Sequence, residues 1–317
     1  MKKLTKERLN PLNDYLFMKY MGEKGDEEQL IAFLNVVLQK TNRDGIKSID
    51  INEDRDQSAD IIGDKSSVLD VRATMDDGTK VNIEVQLRNV GDMDRRSLFY
   101  WSREYTKGLT SGQDYLELPN VIAINIINFQ FINADAVHTT FHLWEDHHRC
   151  LLTDALEIHF IDMVKFRRLR KKNIVANGLH RWLTFFDKNT NNQVVKEILD
   201  MDVAIQKAQD KIAFVSQNAE SFHAYQMREM ALSDFASGIN YARRKGIAIG
   251  ERQGERRGIA IGEQRGIAIG KQQEQIIYAL RLSQKGMSVA EVAELVALPV
   301  EDVERILSGP PDNSAAN

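Results

Sequence analysis

Cysteine is almost missing from this 317-residue chain: Cys150 stands alone. A single thiol excludes an intramolecular disulfide, and it excludes a cysteine-rich zinc site. Long apolar runs are missing as well. No stretch approaches the roughly 20 apolar residues of a membrane span, and MKKLTKERLNPLN at the start lacks the apolar core of a signal peptide. The expectation is a cytoplasmic protein with no membrane partner. An excess of positive charge is also lacking. The formal net charge is −4, so any contact with nucleic acid must come from local basic patches on an acidic surface. Two exist: KFRRLRKK from Lys165 to Lys172, and a looser one from Arg243 and Arg244 through Arg256, Arg257 and Arg265. Such runs are ordinarily solvated helix faces.

What is present is enough apolar material for a sizeable core, 43% of residues, and length for about two domains. Leu12, Tyr15, Leu16, Phe17 and Tyr20, then Leu30, Phe33, Leu34, Val37 and Leu38, recur at helical spacing, with Asn13 as N-cap. The period then changes. VLDVRATMDDGTKVNIEVQL holds two β-type runs around Asp76-Asp77-Gly78-Thr79, and Asp-Gly between such runs predicts an antiparallel hairpin. Residues 93–110 read as an aromatic helix, and NVIAINIINF (120–129) as a strand covered on both faces. FHLWED and LEIHFIDM supply one or two further strands, completing an α/β domain over residues 1–170.

Residues 171–245 read as a helical extension. Glycine then stands at every fourth position from Gly246 to Gly270. In a helix each costs about 1 kcal/mol relative to alanine unless another helix packs closely on the stripe. A self-associating helix and a flexible linker are both open readings of residues 246–273. Residues 274–309 predict a small helical module resembling a helix-turn-helix, with a stop at Gly286, a cap at Ser288 with Glu291 three residues on, and a turn at Pro299. Its last helix, VEDVERIL, is too acidic to favour base readout, so a packing or interaction module is expected. A disordered tail is expected at 310–317.

The chemistry-bearing pattern is Asp70, Glu84 and Gln86. Residues two apart share a strand face, so Glu84 and Gln86 point the same way. From alternation alone they fit a solvent-facing edge equally well. Phosphodiester hydrolysis needs oxygen ligands for hard divalent cations, and carboxylates on adjacent strands meet that need. His138, His142, His147 and His148 lack metal-ligand spacing and read as structural or exposed.

Three segments together carry a resemblance: LNPLNDYLFMKYM, then SSVLDVRATMDDGTKVNIEVQ, then RSLFYWSREYTKGLTSGQDYLELPNVIAINI. As a set they resemble the PD-(D/E)XK nuclease superfamily, and more specifically the Rpn family of recombination-promoting nucleases, also labelled transposases, over roughly residues 8–240. The resemblance implies a restriction-endonuclease-like core, a central mixed sheet flanked by helices, followed by a mainly helical C-terminal region. It implies a DNA endonuclease using Mg²⁺, with Mn²⁺ or Ca²⁺ as alternatives, and a link with recombination, mobile DNA or phage defence.

Position by position, Asp70 and Glu84 match metal ligands, completed by the Val85 backbone carbonyl, and Asp14 matches an acid that can reach the site from the first helix. An acid in a first helical turn is equally well explained by the helix dipole. Gln86 stands where the superfamily usually has lysine; a neutral amide can only hydrogen-bond the attacking water or phosphate. Arg103, Arg96, Arg72 and Tyr100 are the candidate nucleic-acid contacts, Arg103 foremost, whereas Trp101 and Tyr105, four apart, fit a core stripe. A homo-oligomer through the C-terminal region is expected. A shorter C-terminal product starting at Met227 or Met230 is a candidate regulator. The alternative is a nuclease fold that binds nucleic acid or protein without cutting; an RNase-H-like acidic triad lacks a convincing third carboxylate.

Overall fold

The computed structural model describes residues 8–52, 70–107, 109, 112 and 114–309; the expected tail 310–317 lies outside them, as does Thr110 at the end of the expected aromatic helix. The chain divides into two compact units, Met1–Ser233 and Asp234–Asn317. The first is built on a six-stranded mixed sheet. Its strands are β1 (Ile49–Ile51), β2 (Val71–Met75), β3 (Lys80–Gln86), β4 (Val121–Ile127), β5 (His138–Trp144) and β6 (Leu151–Asp162). Their order is β1-β2-β3-β4-β6-β5. Pairing is antiparallel from β1 to β3, parallel for β3-β4 and β4-β6, and antiparallel again for β5-β6.

The predicted hairpin forms where the turn chemistry demands. Gly78 adopts φ +85°, a conformation a side chain disfavours, and its N–H donates to Met75 O at 3.0 Å while Met75 N donates to Thr79 O at 2.9 Å. β4, a run of apolar residues broken by Asn125, is buried throughout because both faces of the sheet are covered. The short edge strand β1 is an element that periodicity did not reveal.

Strand alternation sorts the sheet into two faces. Val81, Ile83 and Val85 of β3, with Ile122, Ile124 and Ile126 of β4, join the main core. That core is filled by α1 (Asp14–Met21), α2 (Glu27–Leu38), α5 (Gly178–Phe186) and α7 (Val203–Gln217). Asn13 caps α1, its side chain accepting from Leu16 N. Phe33 of α2 meets Trp182 and Phe186 of α5 in edge contacts at 5.7 and 5.5 Å. The core therefore draws on residues on both sides of residue 170. On the opposite face Ala123, Ile127, Leu156, Ile158 and Phe160 form a smaller core with Met93 and Trp101 of α3 (Met93–Thr106). α3 is fastened down by the Trp101 indole N–H to Val121 O at 3.0 Å, and Ser97 Oγ lies 3.1 Å from Asn125 Oδ1. Among the described residues α4 (Met163–Arg168) and α6 (Asn192–Met201) are the remaining α-helices up to residue 217.

α8 (Ala219–Gln284) contains the whole glycine repeat, so residues 246–273 are helical. In the second unit Ala279 packs with Val292, Ala293 and Val296 of α9 (Val289–Val296) and Val303 of α10 (Val300–Ser308). The predicted capping box closes at Ser288 and Glu291. Among the described residues, no helix is long and apolar enough to cross a membrane.

Candidate active site

β2 and β3 pair as far as Val71 opposite Ile83. One step further sets Asp70 across from Glu84, at the edge of the face that α3 covers. The cover matters: the Glu84 side chain is 1% exposed and that of Asp70 2%, so the solvent-facing reading of Glu84 is corrected. Burial is the main force on the Asp70 carboxyl and the nearby Glu84 charge adds to it; Arg72 opposes both, and the result is pushed up to about 7.

Each carboxylate has one oxygen engaged and one left over. Glu84 Oε1 accepts from Gln86 Nε2 and from Arg96 Nε, both at 2.6 Å. Asp70 Oδ2 accepts from Arg72 Nη2 at 3.2 Å. Asp70 Oδ1 and Glu84 Oε2 are buried with no hydrogen-bond partner. A buried carboxylate oxygen without a partner is costly, and two of them, one immediately before β2 and one on β3, form an oxygen donor pair suited to a hard divalent cation. The donor set is incomplete on side chains alone, since no group of three or more His, Cys, Asp or Glu positioned to hold a metal occurs among the described residues. A backbone oxygen is at hand. Gln86 O accepts from Asn128 N at 2.9 Å on the β4 side, and successive carbonyls alternate in direction along a strand, so the Val85 carbonyl is directed to the side of Asp70.

The remaining sequence-predicted residues separate. Arg72 and Arg96 are both on the carboxylates, and Arg72 Nε also lies 3.4 Å from Glu104 Oε1. Against the cost of its own burial, Glu84 raises the Arg96 guanidinium above its ordinary value. Tyr100, one turn along α3, lies under that guanidinium, with Cζ 5.2 Å from the ring centroid. Arg103 is half-buried on the same helix. Asp14 stands apart. Burial raises its carboxyl, and the charges acting on it are Arg228, at 3.9 Å, and Glu229, both from α8, rather than Asp70 or Glu84. Trp101 and Tyr105 stack at 4.9 Å, Trp101 against the smaller core.

Two polar residues of the site escaped sequence reasoning. Asn82 shares the Glu84 face and has its Oδ1 buried without a partner; Glu104 anchors Arg72. Asn82 was findable by strand parity, Glu104 only by knowing that α3 lies over the sheet. The basic run at 165–172 is partly consumed by the fold: Arg167 binds Asp187 at 3.2 Å and Asn128 at 2.6 Å, and Lys165 binds Ile132 O at 2.8 Å. His138 is buried against His159, Nε2 to Nδ1 at 2.8 Å, and His159 reaches Glu157 at 2.5 Å, while His147 and His148 are exposed.

No curated protein and no solved structure matches the chain. A family model does, over residues 11–242, a span that takes in the hairpin, α3, the parallel strands and the helices closing the main core. By that match the chain belongs to the PD-(D/E)XK nuclease family transposases.

Proposed function

We propose that this chain is a divalent-metal-dependent endonuclease that hydrolyses DNA phosphodiester bonds. The observation that carries the reading is the pair of buried, partnerless oxygens, Asp70 Oδ1 immediately before β2 and Glu84 Oε2 on β3. Asp70, Glu84 and the Val85 carbonyl would hold the cation, Mg²⁺ or Mn²⁺, which activates water and neutralises charge on the phosphoryl group. Gln86 orients Glu84 through Oε1 and offers the attacking water a hydrogen bond but no charge. Arg103 and Tyr100 on α3 would contact the DNA backbone and bases, and the family resemblance supports a role in recombination, mobile DNA or phage defence. The Gly246–Gly270 helix pairs two copies, and a product begun at Met227 or Met230 would compete for that pairing.

A second reading, a nuclease fold that binds without cutting, is favoured by one feature: Arg72 and Arg96 already pair with the two carboxylates. Titration with Mn²⁺ separates the two. A preformed cation site raises the melting temperature as Mn²⁺ saturates it, and Asp70→Ala removes both that rise and divalent-dependent cleavage of plasmid DNA. An unchanged melting temperature in the native protein favours the binding module, and undiminished cutting by Asp70→Ala removes the assignment.

A further inference from the structure

A site that cleaves a phosphodiester must offset negative charge growing on the phosphoryl oxygens, and a hydrogen-bonding amide is a weak substitute for a cation in that position. On β3 the side chain following Glu84 on its face is the neutral Gln86. Two fixed cations adjoin the carboxylates, and they are not equivalent. Arg72 is divided between Asp70 and Glu104, 3.2 and 3.4 Å away. Among the described residues Arg96 forms its ion pair with Glu84 alone. Its Nε donates to Glu84 Oε1, the same oxygen that takes the Gln86 amide, so guanidinium and amide converge on one point.

The guanidinium plane is supported by the Tyr100 ring at 5.2 Å, its side chain is 20% exposed, and its Nη groups make no hydrogen bond among the described residues. A planar fork held by its Nε end and open at its Nη end matches two phosphate oxygens.

Resting on the nuclease reading above, we infer that Arg96 is a catalytic residue: its Nη groups receive the scissile phosphate and supply the positive charge that Gln86 lacks, while its Nε keeps Glu84 Oε2 free for the cation. Charge at this point, rather than the residue number that delivers it, is what the reaction requires. A lysine at position 86 should therefore stand in for a lost Arg96.

The test uses the full chain and five proteins: native, Asp70→Ala, Arg96→Gln, Arg96→Lys and Gln86→Lys/Arg96→Gln. Mn²⁺ affinity is measured by calorimetry and cleavage on a supercoiled plasmid. Arg96→Gln keeps a donor for Glu84, so Mn²⁺ affinity should stay within about threefold while kcat falls about 100-fold, the scale of losing a charge-stabilising donor. Arg96→Lys preserves the ion pair without the fork and should fall between these. Gln86→Lys/Arg96→Gln should recover at least about tenfold of the lost kcat, an outcome a merely structural arginine would not produce.

Unchanged cleavage by Arg96→Gln overturns the inference. So does a loss of Mn²⁺ affinity matching the loss of cleavage with no recovery in the double variant, which would make Arg96 a positioning residue for Glu84. Native protein that binds Mn²⁺ through Asp70 yet leaves DNA uncut overturns it too. Native protein with no Asp70-dependent Mn²⁺ binding overturns the metal-site reading itself, so the two failures are distinguishable.

Discussion

Asp70 and His138 are both ionisable groups held away from water, and burial moves them in opposite directions. With its carboxyl pushed up to about 7, folded Asp70 binds more protons than the unfolded chain between its ordinary value of 3.8 and about 7. In EDTA the contribution to stability is then complete below that window and lost as pH rises through it. Asp70→Asn cannot ionise, so between pH 5 and 8 the native melting temperature should fall relative to the variant. His138 is the converse. Burial, aided by His159 and Lys40 and opposed by Glu157, lowers it from 6.5 to about 3, so its contribution is present above 6.5 and lost as pH falls toward 3. Denaturant melts should show the native protein losing stability faster than His138→Gln as pH drops from 6.5.

At the scale of elements, two kinds of glycine make opposite demands. A Cβ on Gly178, the first residue of α5, would lie 2.6 Å from Val36 Cγ1 on α2. Valine is stiff in a helix, so α5 must move instead. Gly178→Ala should cost about 1–3 kcal/mol, read from urea melts. Along α8 a Cβ at Gly258 or Gly262 meets nothing within 4 Å. In a lone chain each alanine there should stabilise the helix by about 1 kcal/mol, seen as a smaller loss of helical circular dichroism on heating. If a second copy packs on the stripe, Gly258→Ala/Gly262→Ala should instead weaken association in sedimentation. The hairpin, the α1 cap and the capping box at Ser288 were all legible because each is decided by a few consecutive residues. β1, with three residues, was too short to show a period.

For the whole molecule, the main and smaller cores of the first unit share no side chain with the apolar cluster around Ala279 and Val292, which implies separable stability. Removal of all residues from Gly246 onward leaves the main and smaller cores with their full complement of side chains. The Mn²⁺-induced rise in melting temperature should survive that truncation, and light scattering should show a dimer becoming a monomer if α8 pairs two copies. A rise lost with the truncation would place part of the cation site beyond residue 245.

Local chemistry determined much of this protein from its sequence alone. Turn dihedrals, helix caps and the two-residue strand period depend on neighbours in the chain, and they put Glu84 and Gln86 on one face with Asp70 across an Asp-Gly turn. Tertiary packing decided what that face means. Only α3 lying over the sheet turns Glu84 from an edge residue into a buried carboxylate, brings Arg96 from 12 positions away onto Oε1, and leaves one oxygen on each acid without a partner. Asp14, offered as an acid from the first helix, has its ion pair with Arg228, more than two hundred residues along the chain. Such partners are chosen by which surfaces the cores bring together, and no local pattern encodes that choice.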